Sequence, residues 1–121
     1  MPSRSSSSSG IEFLDRAKAL ADVRRSVLAL VARRPGIEAV WLFGSLATSR
    51  ATPRSDADLL IVLREDHRRP MDRAPEFLRL LEGLGRPVDV IVLTADEWTA
   101  REGSAFHRAV TGQGLRLHPE I

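Results

Sequence analysis

Apolar residues recur along this chain at two spacings. Between residues 11 and 34, Phe13, Ala17, Leu20, Val23, Val27 and Leu30 return every three or four positions, with Asp15, Lys18, Asp22, Arg25 and Arg33 in the gaps. Residues so spaced share one side of a helix, which predicts an amphipathic helix ended by Pro35-Gly36. The next apolar stretches are shorter and continuous. Ile37 to Phe43, Ala57 to Arg64 and Val88 to Leu93 read as strands. A near-unbroken apolar run marks a strand buried on both faces, which makes the second of these the central one. Ala74 to Leu84 returns to helical spacing through Phe77, Leu80, Leu81 and Leu84. A last helix is expected from a cap at Thr94 or Asp96 through Trp98 toward Val110, stopped by Gly112 and Gly114. Leu115 to His118 follows as a short edge strand.

With a short helix from Ser45 to about Arg50, the order is α-β-α-β-α-β-α-β. It predicts an α+β fold, an α/β two-layer arrangement in which helices pack on a small mixed sheet of about four strands. Residues 1–10 hold five consecutive serines and end at Gly10, which reads as a flexible Ser-rich tail before a single domain over residues 11–121.

Three acids interrupt this apolar pattern. Asp56-Ala57-Asp58 opens the second strand twelve residues after Gly44, and Asp89 lies inside the third. Alternate strand residues point to one side, so Asp56 and Asp58 share a face. An unpaired charge within a buried run costs several kcal/mol, so Asp58 and Asp89 need either arginine partners or a cation. Carboxylates are the ligands that magnesium-type cations prefer, and two such ions can clamp an in-line phosphoryl displacement. Asp56 and Asp58 suit bridging both ions. Asp89 suits the catalytic ion alone and is placed to accept the nucleophile's proton. The Gly44-Ser45 turn supplies the complementary half, a close-approaching backbone and a hydroxyl that can cradle phosphate. Arg50 and Arg54, in the intervening loop, are candidates to neutralise it.

Composition narrows the context. The chain lacks cysteine, which excludes disulfides, thiolate metal sites and thiol catalysis and fits a reducing, cytoplasmic location. No apolar run approaches the roughly 20 residues of a membrane span. The sequence pI of about 10.3 overstates its basicity. Net charge is only +2, Lys18 is the sole lysine and tyrosine is absent, so little titrates below the arginine range. Acids and bases are interspersed, and charge gives no indication of nucleic-acid binding.

Leu42-Phe43-Gly44-Ser45, the twelve-residue spacing and Ser55-Asp56-Ala57-Asp58-Leu59 resemble the nucleotidyltransferase superfamily of the polymerase beta type. Within it the chain is most similar to the minimal nucleotidyltransferases, often paired with a HEPN-domain toxin. The resemblance spans about Ile11 to His118 and implies a nucleotidyltransferase fold. It implies that Gly44 and Ser45 hold the triphosphate of ATP, that Asp56 and Asp58 ligate two magnesium ions, and that Asp89 completes the catalytic set. The implied reaction moves AMP to an acceptor hydroxyl, with a cognate HEPN toxin as acceptor and this chain as antitoxin. Modification of a small molecule of the aminoglycoside type, and neutralisation of a toxin by binding alone, are the alternatives. The sequence departs from the family pattern where arginines are common, at Leu46 and Thr48, and where a second glycine is usual, at Ser49.

Overall fold

The apolar run Leu59 to Leu63 becomes the middle of a four-stranded sheet on which the rest of the chain is laid. A computed structural model describes residues 2–48 and 56–120, and side chains from Arg16 onward apart from that gap. Its elements are α1 (Pro2–Arg33), β1 (Ile37–Phe43), a 3-10 turn (Ser45–Ala47), β2 (Ala57–Leu63), α2 (Pro70–Leu80), a second 3-10 turn (Glu82–Leu84), β3 (Val88–Thr94), α3 (Ala95–Ala100), α4 (Ala105–Gln113) and β4 (Leu115–His118). The sheet order is β3-β2-β1-β4. β1 runs antiparallel to β2 and β4, whereas β2 and β3 are parallel. A parallel pair needs a crossover, and α2 provides it. The sheet is therefore mixed and the fold α+β, as the periodicity predicts.

Burial explains why β2 is central. All its residues except Asp58 are buried. Ala57, Leu59, Ile61 and Leu63 point into a core shared with Val23, Val27 and Leu30 of α1 and with Phe77 and Leu81. Leu60 and Val62 point the other way, into a smaller cluster with Leu93, Val110, Trp98 and Phe106. Helices thus flank both faces, α1 and α2 on one, α3 and α4 on the other. By strand alternation Asp58 and Asp89 belong to the second face.

The helices differ from the sequence expectation in four places. α1 buries Ala19, Val23, Val27 and Leu30, while Ala17 is exposed. Ala17 lies two residues, about 200°, round the helix from Ala19. The backbone helix runs back to Pro2 through the serine run that composition assigns to a coil. Extending a helix already fixed by packing adds a bond per residue, and serine is an ordinary helix former. α2 starts at Pro70 rather than Ala74, because proline suits a first turn. The single last helix is two, broken where Gly103 takes φ +83° and Ser104 caps α4 through His107 N–H.

A network of ions, absent from the sequence reading, ties these pieces together. Arg73 of α2 is 2% exposed. Its guanidinium donates to the Val92 carbonyl (3.1 Å), to Glu97 Oε1 (2.6 Å) and to the Asp66 carbonyl (3.1 Å). Glu97 also closes a capping box with Thr94, accepting from its N–H at 2.8 Å. Arg68 donates to Asp66 Oδ2 (2.6 Å) and Glu76 Oε1 (2.7 Å), and Arg34 donates to Glu76 Oε2 (2.8 Å). One guanidinium thereby fastens α2, β3, α3 and the loop after β2.

Replacing Arg73→Met strands the Glu97 carboxylate and the Val92 carbonyl, and is expected to cost on the order of 3 kcal/mol in urea unfolding at neutral pH. The Arg73 hydrogen bond, aided by the Thr94 N–H, lowers the Glu97 pKa from 4.5 to about 2. A carboxylate whose folded pKa is depressed stabilises fully above its unfolded value and loses that contribution as pH falls through the folded one. Stability should therefore drop between about pH 4.5 and 2, and Glu97→Gln should flatten that part of the denaturation profile.

Candidate active site

Strand register, more than side-chain reach, assembles the acids. Asp58 is paired with Phe43 on one side and with Asp89 on the other. Neighbouring strands run about 4.8 Å apart, so these two carboxylates start side by side. Pairing with Phe43 also brings the following residue, Gly44, against Asp58. Gly44 has φ +76° and ψ −160°, a conformation that L side chains avoid. A Cβ there would collide with Asp58 Oδ2 and come within 3.1 Å of its Cγ. Both the turn and the acid demand glycine.

The turn after Gly44 is a single 3-10 turn, shorter than the helix expected to Arg50. Ala47 N–H donates to the Gly44 carbonyl and Thr48 N–H to that of Ser45, each at 3.2 Å. Leu46 is fully buried and Ala47 nearly so, whereas Ser45 faces solvent. The apolar side chain of Leu46 pins the turn to the core. Arg50, Arg54 and Ser49 lie outside the described residues.

Asp56 precedes β2 and is exposed, as is Asp89, while Asp58 is partly buried. Burial, followed by repulsion from Asp89 and then Asp56, holds the Asp58 carboxyl above the usual range. Asp56 and Asp89 thus both act on Asp58, and no cation among the described residues lowers its carboxyl in return. As they stand, no three acidic, histidine or cysteine side chains among the described residues gather tightly enough to hold a metal. The donor set is nonetheless oxygen-only, which suits a hard cation of the magnesium type. A positive ion would relieve the repulsion felt at Asp58.

The surroundings divide into a closed end and an open one. Phe106 packs edge-on against Phe43 and Trp98, at 5.5 Å and 6.0 Å between ring centres. His107 lies against Trp98 at 4.8 Å, the position of a packing residue. This cluster and Leu93 are covered by α3 and α4. Ile91, two residues from Asp89 on the same face, is 38% exposed. The apolar run Val88 to Leu93 carries no mark of where the helical roof stops. A cavity of about 480 Å³ lies on the opposite face, between α1 and the end of α2, lined by Arg25, Arg33, Leu80 and Leu84. The acids take no part in it.

Comparison with known proteins identifies the fold and the family. Among curated proteins none matches. The chain is similar in structure to a candidate nucleotidyltransferase from Sulfolobus solfataricus, with a TM-score of 0.60 and 23% identity over 86% of this chain and 83% of that one. It is also similar to a chain of a toxin–antitoxin complex with AMP-PNP, with a TM-score of 0.53 and 20% identity over 78% and 71% of the two chains. A mutant MntA–HpeT toxin–antitoxin complex gives 0.51 and 18% identity over 78% and 70%. These likenesses establish the fold. The family model for the nucleotidyltransferase domain matches residues 23–111, which contain the turn and all three acids. The chain belongs to the nucleotidyltransferase domain family.

Proposed function

We propose that this nucleotidyltransferase moves AMP from ATP to a hydroxyl of a partner protein, with a HEPN-type toxin as the acceptor and this chain as its antitoxin. The observation that carries the site assignment is the pairing of Asp58 with Asp89 directly beside Gly44. Charges placed side by side, without a salt bridge among the described residues, serve no evident purpose in the fold. Support for the acceptor is indirect. Two of the similar structures are toxin–antitoxin complexes, one of them with AMP-PNP.

Asp56, Asp58 and Asp89 would hold magnesium, which when bound polarises the α-phosphate and screens the triphosphate. Gly44 lets the backbone approach the phosphates, and Ser45 offers its exposed hydroxyl to them. Arg50 and Arg54 are proposed to balance the terminal charge. The acceptor oxygen forms a bond to the α-phosphorus as the bond from that phosphorus to the bridging oxygen breaks. Pyrophosphate leaves, and the hydroxyl proton passes to Asp89.

The test is incubation with magnesium and ATP labelled at the α-phosphate, in host extract. Label is expected on one protein and should disappear with a chelator. Label on a small molecule instead would transfer the assignment to antibiotic-type chemistry. Failure to bind ATP would sink the enzyme reading. Asp58→Asn and Asp89→Asn should each lower transfer on the order of a hundredfold to a thousandfold. In metal-free buffer Asp58→Asn should not lower the melting temperature and should raise it, because it removes the repelled charge. Gly44→Ala displaces the Asp58 carboxylate and should cost about a hundredfold in transfer.

A further inference from the structure

β3 is an edge strand whose outer side is closed at one end and open at the other. Within a strand, the N–H and C=O of one residue point the same way, and successive residues alternate. The Pro87 carbonyl accepts from Ala57 N–H, so residues 87, 89, 91 and 93 turn their peptide groups toward β2. Val92, of the opposite parity, turns outward, and Arg73 donates to its carbonyl. Val88 and Val90 share that outward parity. Among the described residues neither makes a hydrogen bond beyond the sheet. The guanidinium therefore caps the edge where it is far from the acids and leaves it bare on either side of Asp89.

We infer that the acceptor is an extended polypeptide segment that pairs with this bare edge, Val88 to Val90, and so sets its hydroxyl residue level with Asp89. The inference rests on the transfer reading above and gives the acceptor a shape. A bare row of peptide donors and acceptors matches an extended chain better than any other ligand, because the ladder is made of the same groups. A strand added there would run about 4.8 Å from β3, with alternate side chains on the face that carries Asp58 and Asp89. A hydroxyl residue beside Asp89 would then stand at the acids. Two positions along, the same segment would meet Ile91, whose exposure on that face is suited to an apolar side chain. The expected acceptor pattern is a serine, threonine or tyrosine with an apolar residue two places away. β4, the other edge, is two strands from Asp58 and offers no such juxtaposition.

The experiment uses the full chain and the protein that takes label from α-phosphate-labelled ATP. Val90→Pro removes one outward N–H without touching the ladder to β2. It should slow labelling of that protein by about tenfold or more while ATP binding stays within twofold. Because Val90 also packs against the core, amide exchange on the unaltered chain provides a second reading. The Val88 and Val90 amides should exchange fast in the free protein and be protected when the acceptor is added with magnesium and a non-hydrolysable ATP analogue. Labelling by Val90→Pro at the unaltered rate, or amides that gain no protection, would overturn the edge while leaving the transfer reading intact. Absence of labelled protein with the unaltered chain overturns both.

Discussion

Two carboxylates side by side on parallel strands are the constraint that the rest of this small domain has to accommodate. Burial, with the neighbouring Asp89 charge behind it, holds the Asp58 carboxyl above its usual range. The surrounding structure makes the arrangement affordable by force of burial elsewhere. The remainder of β2 is buried. Its odd residues anchor one core and its later even residues another, so the strand stays in register whatever the acid at its second position prefers. The site is a local departure from good packing, held in place by a long apolar run that has no such conflict.

The second support is electrostatic and stands at the other end of β3. Arg73 gathers the Val92 carbonyl, the Asp66 carbonyl and Glu97 into one buried node. Buried ion pairs contribute little net stability compared with apolar packing, yet this one guanidinium bonds to groups on three separate segments at once. Those bonds fix the orientation of β3 relative to α2 and α3. Opposite charges are thus satisfied at the closed end of the strand, and like charges are set against one another at its open end. A single strand carries both.

Much of this was legible in the residues. The run Ile37 to Phe43 is a strand with those ends, because apolar continuity and turn chemistry agree there. Asp58 and Asp89 stood out because charge in an apolar strand has few explanations, and Gly44 and Asp56 because of the turn and the twelve-residue spacing between them. Arg73 did not stand out. Its partners Glu97 and Val92 are 24 and 19 residues away, and pairs at such separations leave no local pattern. Glu97 was the missed clue: three residues after Thr94, it completes a capping box. The exposure of Ile91 was equally hidden, since it depends on how short α3 is rather than on its own neighbours. The helix break at Gly103 was hidden too, because one glycine within helical spacing does not usually end a helix.

Gly44 and its neighbouring acid differ in what would preserve them over evolutionary time. The backbone at Gly44 takes a conformation that side chains avoid, and it would do so with or without a carboxylate opposite. A descendant that had given up catalysis would therefore keep the glycine, since the turn from β1 into the buried Leu46 requires it. Asp58 and Asp89 have no comparable hold on the fold. Freed from selection for chemistry, they would drift toward the apolar residues that their strands otherwise contain. In gene copies descended from this one, a surviving glycine turn would record only shared ancestry. The paired acids, in the role proposed for them, would record continued use.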